Sequence, residues 1–163
     1  MDNIKNLSPE EYVCAPAKDN FRHGLNCAES TFKACIDSGL FGECPPETVA
    51  LSSGFGGGLG GKRQLCGAVT GGAMALGLVK GRKNPLAKET LEERVAELND
   101  EGGVYDIFRA YADEIEEHFG ALNCGDLVKE WIEKNEMSTR ERKKHCQQII
   151  GFCAKTAYKH ANK

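Results

Sequence analysis

No two of the eight cysteines in this 163-residue chain form a C-x-x-C pair. Zinc ribbons and thioredoxin-like sites use such close pairs, so both are poor readings from the outset. The opening residues, MDNIKNLSPEE, carry none of the basic, apolar and cleavage regions of a secretory signal. The apolar stretch Leu65–Val79 has fifteen residues, short of the roughly 20 that cross a bilayer. These two absences lead to the expectation of a soluble, cytoplasmic protein. The net charge of −3 leaves no basic excess, so nucleic acid is not an expected partner. Strand-like alternation, long linkers and solenoid-length repeats are also missing, and one domain over residues 1–163 is expected.

What the chain does have is cysteine and glycine. In a reducing compartment eight thiols are not structural disulfides, and metal binding or redox chemistry is the natural alternative. Against this stands the ordinary use of cysteine as a small buried hydrophobe. Residues 54–81 hold eleven of the nineteen glycines and Cys66. They read as a glycine-rich loop with Lys62 and Arg63, feeding a buried helix over Cys66–Val79. Glycine costs a helix roughly 1 kcal/mol against alanine, so Gly67, Gly71, Gly72 and Gly77 are expected to answer a steric demand from a neighbouring backbone or a bound cofactor.

Other helices follow from local signals. Ser8-Pro9-Glu10-Glu11 starts one that runs to about Arg22. Asn26 with Glu29 is a variant capping box that puts Cys27 at the first helical position, in a helix stopping at Gly39. Glu47–Ser53 is a short helix. Asn84-Pro85 is read as the start of an amphipathic helix through Leu91, Val95 and Leu98, interrupted at Gly102-Gly103. A further helix ends at Gly120. Asn123-Cys124-Gly125-Asp126 repeats the arrangement at Asn26 and opens a helix with Leu127, Val128, Trp131 and Ile132 on its apolar face. Ser138-Thr139-Arg140-Glu141 is a capping box for the last helix, on which Cys146 faces inward. The expected fold is all-α: a bundle of about six helices around residues 66–79.

Three thiols, Cys27, Cys66 and Cys124, thus fall at helix starts, where unpaired N–H groups and the dipole favour thiolate. Cys146 could complete a set of four. The intervals are 38, 57 and 21 residues, so such a site must be assembled by tertiary structure. Other signals are set aside. Gly56–Gly61 satisfies G-x-G-x-x-G but no strand precedes it, and Arg63 stands where a P-loop needs Ser or Thr. His145 points about 100° from Cys146, which keeps both from facing one metal easily. His23, His118, His160 and the Glu114, Glu116, Glu117 run read as solvated faces, and Trp131 as core. Cys14 and Cys35 read as packing residues, and Cys44 as a loop thiol.

Cys66-Gly67-Ala68-Val69-Thr70-Gly71 matches CGAxxG. With NCAES around Cys27, HFGALNCGDLV around Cys124 and KKHCQQII around Cys146, residues 20 to 155 resemble the redox-active family named for the pattern C_GCAxxG_C_C. The resemblance implies that Cys27, Cys66, Cys124 and Cys146 are the functional set. It also implies a redox role and an association with membrane transporters. That family is similar in turn to a region of split-Soret cytochromes, which bind haem and an iron–sulfur centre. The chain lacks C-x-x-C-H, so covalent haem attachment is not expected, while the iron–sulfur analogy stands. Cys14, Cys35, Cys44 and Cys153 lie outside the pattern, with Cys153 the candidate for a spare ligand.

The leading expectation is an iron–sulfur cluster held by Cys27, Cys66, Cys124 and Cys146, for electron transfer or redox sensing with a partner protein. The alternatives are a metal-free thiol–disulfide oxidoreductase with Cys66 as the catalytic thiolate, and a zinc-binding accessory of a membrane transporter. A homo-oligomer is compatible with each.

Overall fold

The structure is a computed structural model that describes residues 8–163; the reading that no secretory signal opens the chain rests largely on Met1–Leu7, outside the described residues. Eight α-helices form among the described residues: α1 (Pro9–Arg22), α2 (Cys27–Asp37), α3 (Gly67–Lys80), α4 (Leu91–Asn99), α5 (Val104–Phe119), α6 (Cys124–Leu127), α7 (Lys129–Glu133) and α8 (Arg140–Ala161). Pro46–Phe55 is a 3-10 segment. The all-α class is as expected. Among the described residues no strand forms, and one isolated antiparallel bridge joins Leu65 to Asn123. No helix is long and apolar enough to cross a membrane among these residues.

The capping signals at the first two helices act as read. The Ser8 hydroxyl accepts from the Glu11 N–H, and the Glu11 carboxylate accepts from the Ser8 N–H at 2.9 Å. Asn26 and Glu29 cap α2 in the same reciprocal way. Gly120, at φ 79°, ends α5 in the left-handed conformation that glycine adopts without steric cost.

α3 lies at the centre, with α2 and α8 packed on it; α1 crosses α2 and α8, and α5 closes against α3 and α8. Phe32, Val69, Leu76, Tyr111, Ile115, Ile149 and Ile150 belong to one contiguous buried cluster. Three of the helical glycines have the expected steric cause. A Cβ on Gly67 would stand 2.6 Å from the Cys27 sulfur, one on Gly71 would stand 2.5 Å from the Ala28 carbonyl oxygen, and one on Gly72 would strike the Tyr111 hydroxyl. The fourth does not: nothing lies within 4 Å of a Cβ on Gly77.

Four local readings are corrected. α4 begins at Leu91 and not at Pro85, because Thr90 and Glu93 form a reciprocal capping box there. The helix expected from Cys124 through Ile132 breaks at Val128 (φ −117°, ψ 18°) into two short turns. Trp131 is consequently half-buried against the His145 ring, at a centroid distance of 4.9 Å, and Ile132 is exposed. The cap of α8 is the Thr139 hydroxyl, which accepts from the Arg142 N–H. His160 is buried at 4% exposure, where its Nε2 meets Glu114 at 2.9 Å, so neither side chain is simply solvated.

Candidate functional site: a four-cysteine cavity

Each of the four cysteines is positioned by a different piece of backbone. The Asn26 side chain accepts from the N–H groups of Ala28 (2.9 Å) and Glu29 (3.0 Å), which fixes the first turn of α2 and sets Cys27 at its start. Cys66 is the N-cap residue of α3, one position earlier than expected. The Cys66 N–H donates to the Leu122 carbonyl at 2.9 Å, and the Cys124 N–H donates to the Gln64 carbonyl at 2.8 Å. These bonds flank the Leu65–Asn123 bridge. They run the approach to Cys66 antiparallel to the approach to Cys124, so one short ladder sets both. Arg63 adopts φ 62° and its carbonyl accepts from the Gly125 N–H at 3.0 Å. A left-handed conformation costs an arginine of order 1–3 kcal/mol, and the pairing with Gly125 holds it there. Cys146 lies on α8, one turn beyond Arg142.

All four line a single cavity of about 140 Å³. Its remaining wall is largely apolar, with Phe21, Ala68, Leu127, Val128, Ile149 and Ile150. An Arg63 guanidinium N–H donates to the Cys124 sulfur at 3.8 Å, and one from Arg142 donates to the Cys146 sulfur at 3.6 Å. Arg142 is itself oriented by the Met137 carbonyl at 2.7 Å. The cavity therefore combines four cysteines with two guanidiniums, an exposed one at Arg63 and a half-buried one at Arg142, where charge interactions are stronger than in water.

The thiols are not equivalent. Hydrogen bonding from the Cys66 thiol, helped by the N–H groups of Gly57, Ala28 and Cys27 itself, pulls the Cys27 pKa down to about 6 against the effect of burial. Donation of that proton, together with burial, pushes Cys66 well above the ordinary thiol range. These opposite directions favour Cys27 over Cys66 as the thiolate of the pair, against the expectation that Cys66 attacks. Their mutual hydrogen bond is the largest cause for both; N–H groups of Gly57, Ala28 and Cys27 add to it at Cys27, and that of Ala68 opposes it at Cys66. Burial pushes Cys146 up, with Arg142 opposing.

All three helix starts reach the cavity, α2 at Cys27, α3 at Cys66 and α6 at Cys124, but their N–H groups are not equally free. At Cys124 the first N–H groups of the short α6 are committed to carbonyls of the glycine loop, and the Arg63 guanidinium takes their place beside the sulfur. Arg142 was not anticipated, although its i, i+4 spacing from Cys146 on a helix is a readable signal. His145 turns away to the Leu127 carbonyl at 3.0 Å. Cys153 and Cys35 are fully buried and do not line the cavity, so Cys153 is not placed to act as a spare ligand. Cys44 is a half-buried loop thiol, and Cys14 packs where α1 passes over Gly151.

The class these features define is a helical domain organised around a cysteine-lined cavity. Residues 25–160 match the family model described as "Putative redox-active protein (C_GCAxxG_C_C)", and the chain belongs to that family. Neither a curated protein nor a solved structure matches the chain.

Proposed function

We propose that Cys27, Cys66, Cys124 and Cys146 are the ligands of an iron–sulfur cluster that serves electron transfer or redox sensing. The observation that carries this reading is that four thiols, remote in sequence, all face one cavity. A single zinc ion needs its sulfurs about 2.3 Å from one point. Among the described residues no three His, Cys, Asp or Glu side chains are drawn together to hold one metal ion. The four cysteines instead share the lining of a cavity of about 140 Å³. A shared cavity of that size suits a multi-atom group better than it suits one ion.

The donor set fits as well. Cluster sulfurs and cysteinate ligands carry negative charge and accept hydrogen bonds, which tune the potential. Here the N–H groups near Cys27 and the Arg63 and Arg142 guanidiniums stand ready to donate, and the apolar wall limits water. Bound there, the cluster would supply one-electron exchange. The chain's own residues would supply the four thiolates, the compensating cations and exclusion of solvent. Anaerobic reconstitution with iron and sulfide, followed by metal analysis and visible absorbance, tests the proposal. Bound iron and sulfide with charge-transfer absorbance are expected; a colourless, iron-free product contradicts it.

The Cys27–Cys66 contact favours a second reading, thiol–disulfide exchange. The Cys27 thiolate would attack a substrate disulfide, forming a mixed disulfide and releasing one substrate thiolate, which takes up a proton. Cys66 would then lose its proton and attack Cys27, closing a Cys27–Cys66 disulfide and releasing the second substrate thiol. The substrate gains two electrons and the protein loses two. Reversible loss of two thiols on mild oxidation, abolished in Cys27→Ser, would favour this reading over the cluster.

A further inference from the structure

Beside the four-cysteine cavity lies a second, open groove of about 630 Å³ that shares Phe21 with it. Its charged lining is all of one sign: Arg22 from the end of α1, and Arg140, Lys143 and Lys144 from the start of α8. On a chain with a net charge of −3 this is a local inversion. Arg22 has an acidic neighbour, Asp19 at 3.7 Å, and Glu141 lies on the first turn of α8. Arg140, Lys143 and Lys144 are exposed and form no ion pair among the described residues.

Arg140 opens α8, where the positive end of the helix dipole disfavours positive charge, and Lys143 and Lys144 follow in the next turn, so the three like charges repel one another and the first also opposes the dipole. Arg142, in the same turns, is used inside the cavity on Cys146. The other three have no such internal role. A cluster that repels itself and its own helix dipole is relieved by a negative surface brought against it.

We infer that this groove and its rim are a docking surface for an acidic partner protein that exchanges electrons with the four-cysteine site. The inference rests on the redox reading of that site and adds the chemistry of its partner. Phe21 lines both groove and cavity, so a partner seated here lies beside the four-cysteine site. Complementary charge raises the encounter rate and fixes orientation, which suits the small, transient interfaces of electron-transfer pairs. The lining argues against an enclosed small-molecule site, since such pockets are mostly apolar with few polar groups. Here the cations dominate and the groove is open.

The test uses the full-length chain, isotopically labelled, in a nuclear magnetic resonance titration that needs no bound cluster. The probes are a poly-glutamate peptide and, separately, inorganic pyrophosphate. The peptide is expected to shift the amides of Arg22–Leu25 and Arg140–Gln147, and added salt is expected to reverse those shifts. In the triple variant R140E/K143E/K144E the shifts should vanish while the remaining spectrum stays folded. Peptide shifts that survive the triple variant, or that fall elsewhere, overturn the docking surface. Shifts caused by pyrophosphate but not by the peptide overturn it too, in favour of a small-anion site. Failure of cluster reconstitution leaves this result untouched, so the two ideas fail separately.

Discussion

Cys27 and Cys66 show how one proton is shared between two thiols with different surroundings. Cys27 gains donors from the first turn of α2 and from Gly57, so its folded pKa drops to about 6. The thiolate of Cys27 therefore dominates above that pH and is lost as pH falls through it. Alkylation of Cys27 by iodoacetamide, followed by peptide mass spectrometry, is expected to rise through about pH 6 and level off near neutrality. In Cys66→Ala the largest stabilising donor is gone, so the midpoint moves to higher pH; an unmoved midpoint would mean the backbone N–H groups suffice. Cys146 behaves differently. Burial already raises its pKa and Arg142 opposes that rise. Arg142→Met should raise it further and slow alkylation of Cys146 at neutral pH, with little change at Cys27.

Helix α3 carries the steric logic of the site. Adding a Cβ at Gly67 would improve helix propensity by about 1 kcal/mol. It would also meet the Cys27 sulfur at 2.6 Å and the Phe55 carbonyl oxygen at 2.7 Å. Overpacking of this kind costs about 1–3 kcal/mol, so Gly67→Ala is expected to be destabilising in urea titrations. Gly77→Ala meets nothing within 4 Å and should gain up to about 1 kcal/mol. Where α5 meets α8, Glu114→Ala removes the hydrogen-bond partner of buried His160; the unmet group should cost about 1–3 kcal/mol, read from the thermal midpoint.

These elements also show which features a sequence carries. Asn26 and Glu29 are three residues apart and act on each other, so the start of α2 and the place of Cys27 were legible. Asn123-Cys124-Gly125-Asp126 likewise marked the start of α6 at Cys124, but not its missing side-chain cap: its first N–H groups are taken by carbonyls about sixty residues earlier in the chain, and no local pattern encodes that register. The left-handed Arg63 and the burial of His160 are tertiary outcomes of the same kind. Thr90 and Glu93 were readable, but Asn84-Pro85 offered a competing start that the fold does not use.

At the scale of the whole molecule, four stretches of chain meet: the α2 start, the α3 start, the turn at Cys124 and one face of α8. The supports are backbone hydrogen bonds and a helix cap rather than the thiols themselves, so losing one side chain should not unfold the others' supports. Cys14, Cys35, Cys44 and Cys153 do not line the cavity. The eight cysteines thus divide into four that line the cavity and four that do not. Native mass spectrometry of the anaerobically reconstituted protein tests this division and the cluster together. The full chain and Cys35→Ala are predicted to carry one iron–sulfide adduct, while Cys124→Ala loses it. A reconstituted chain at the mass of the bare protein, or two protons lighter as a disulfide, would contradict the central claim.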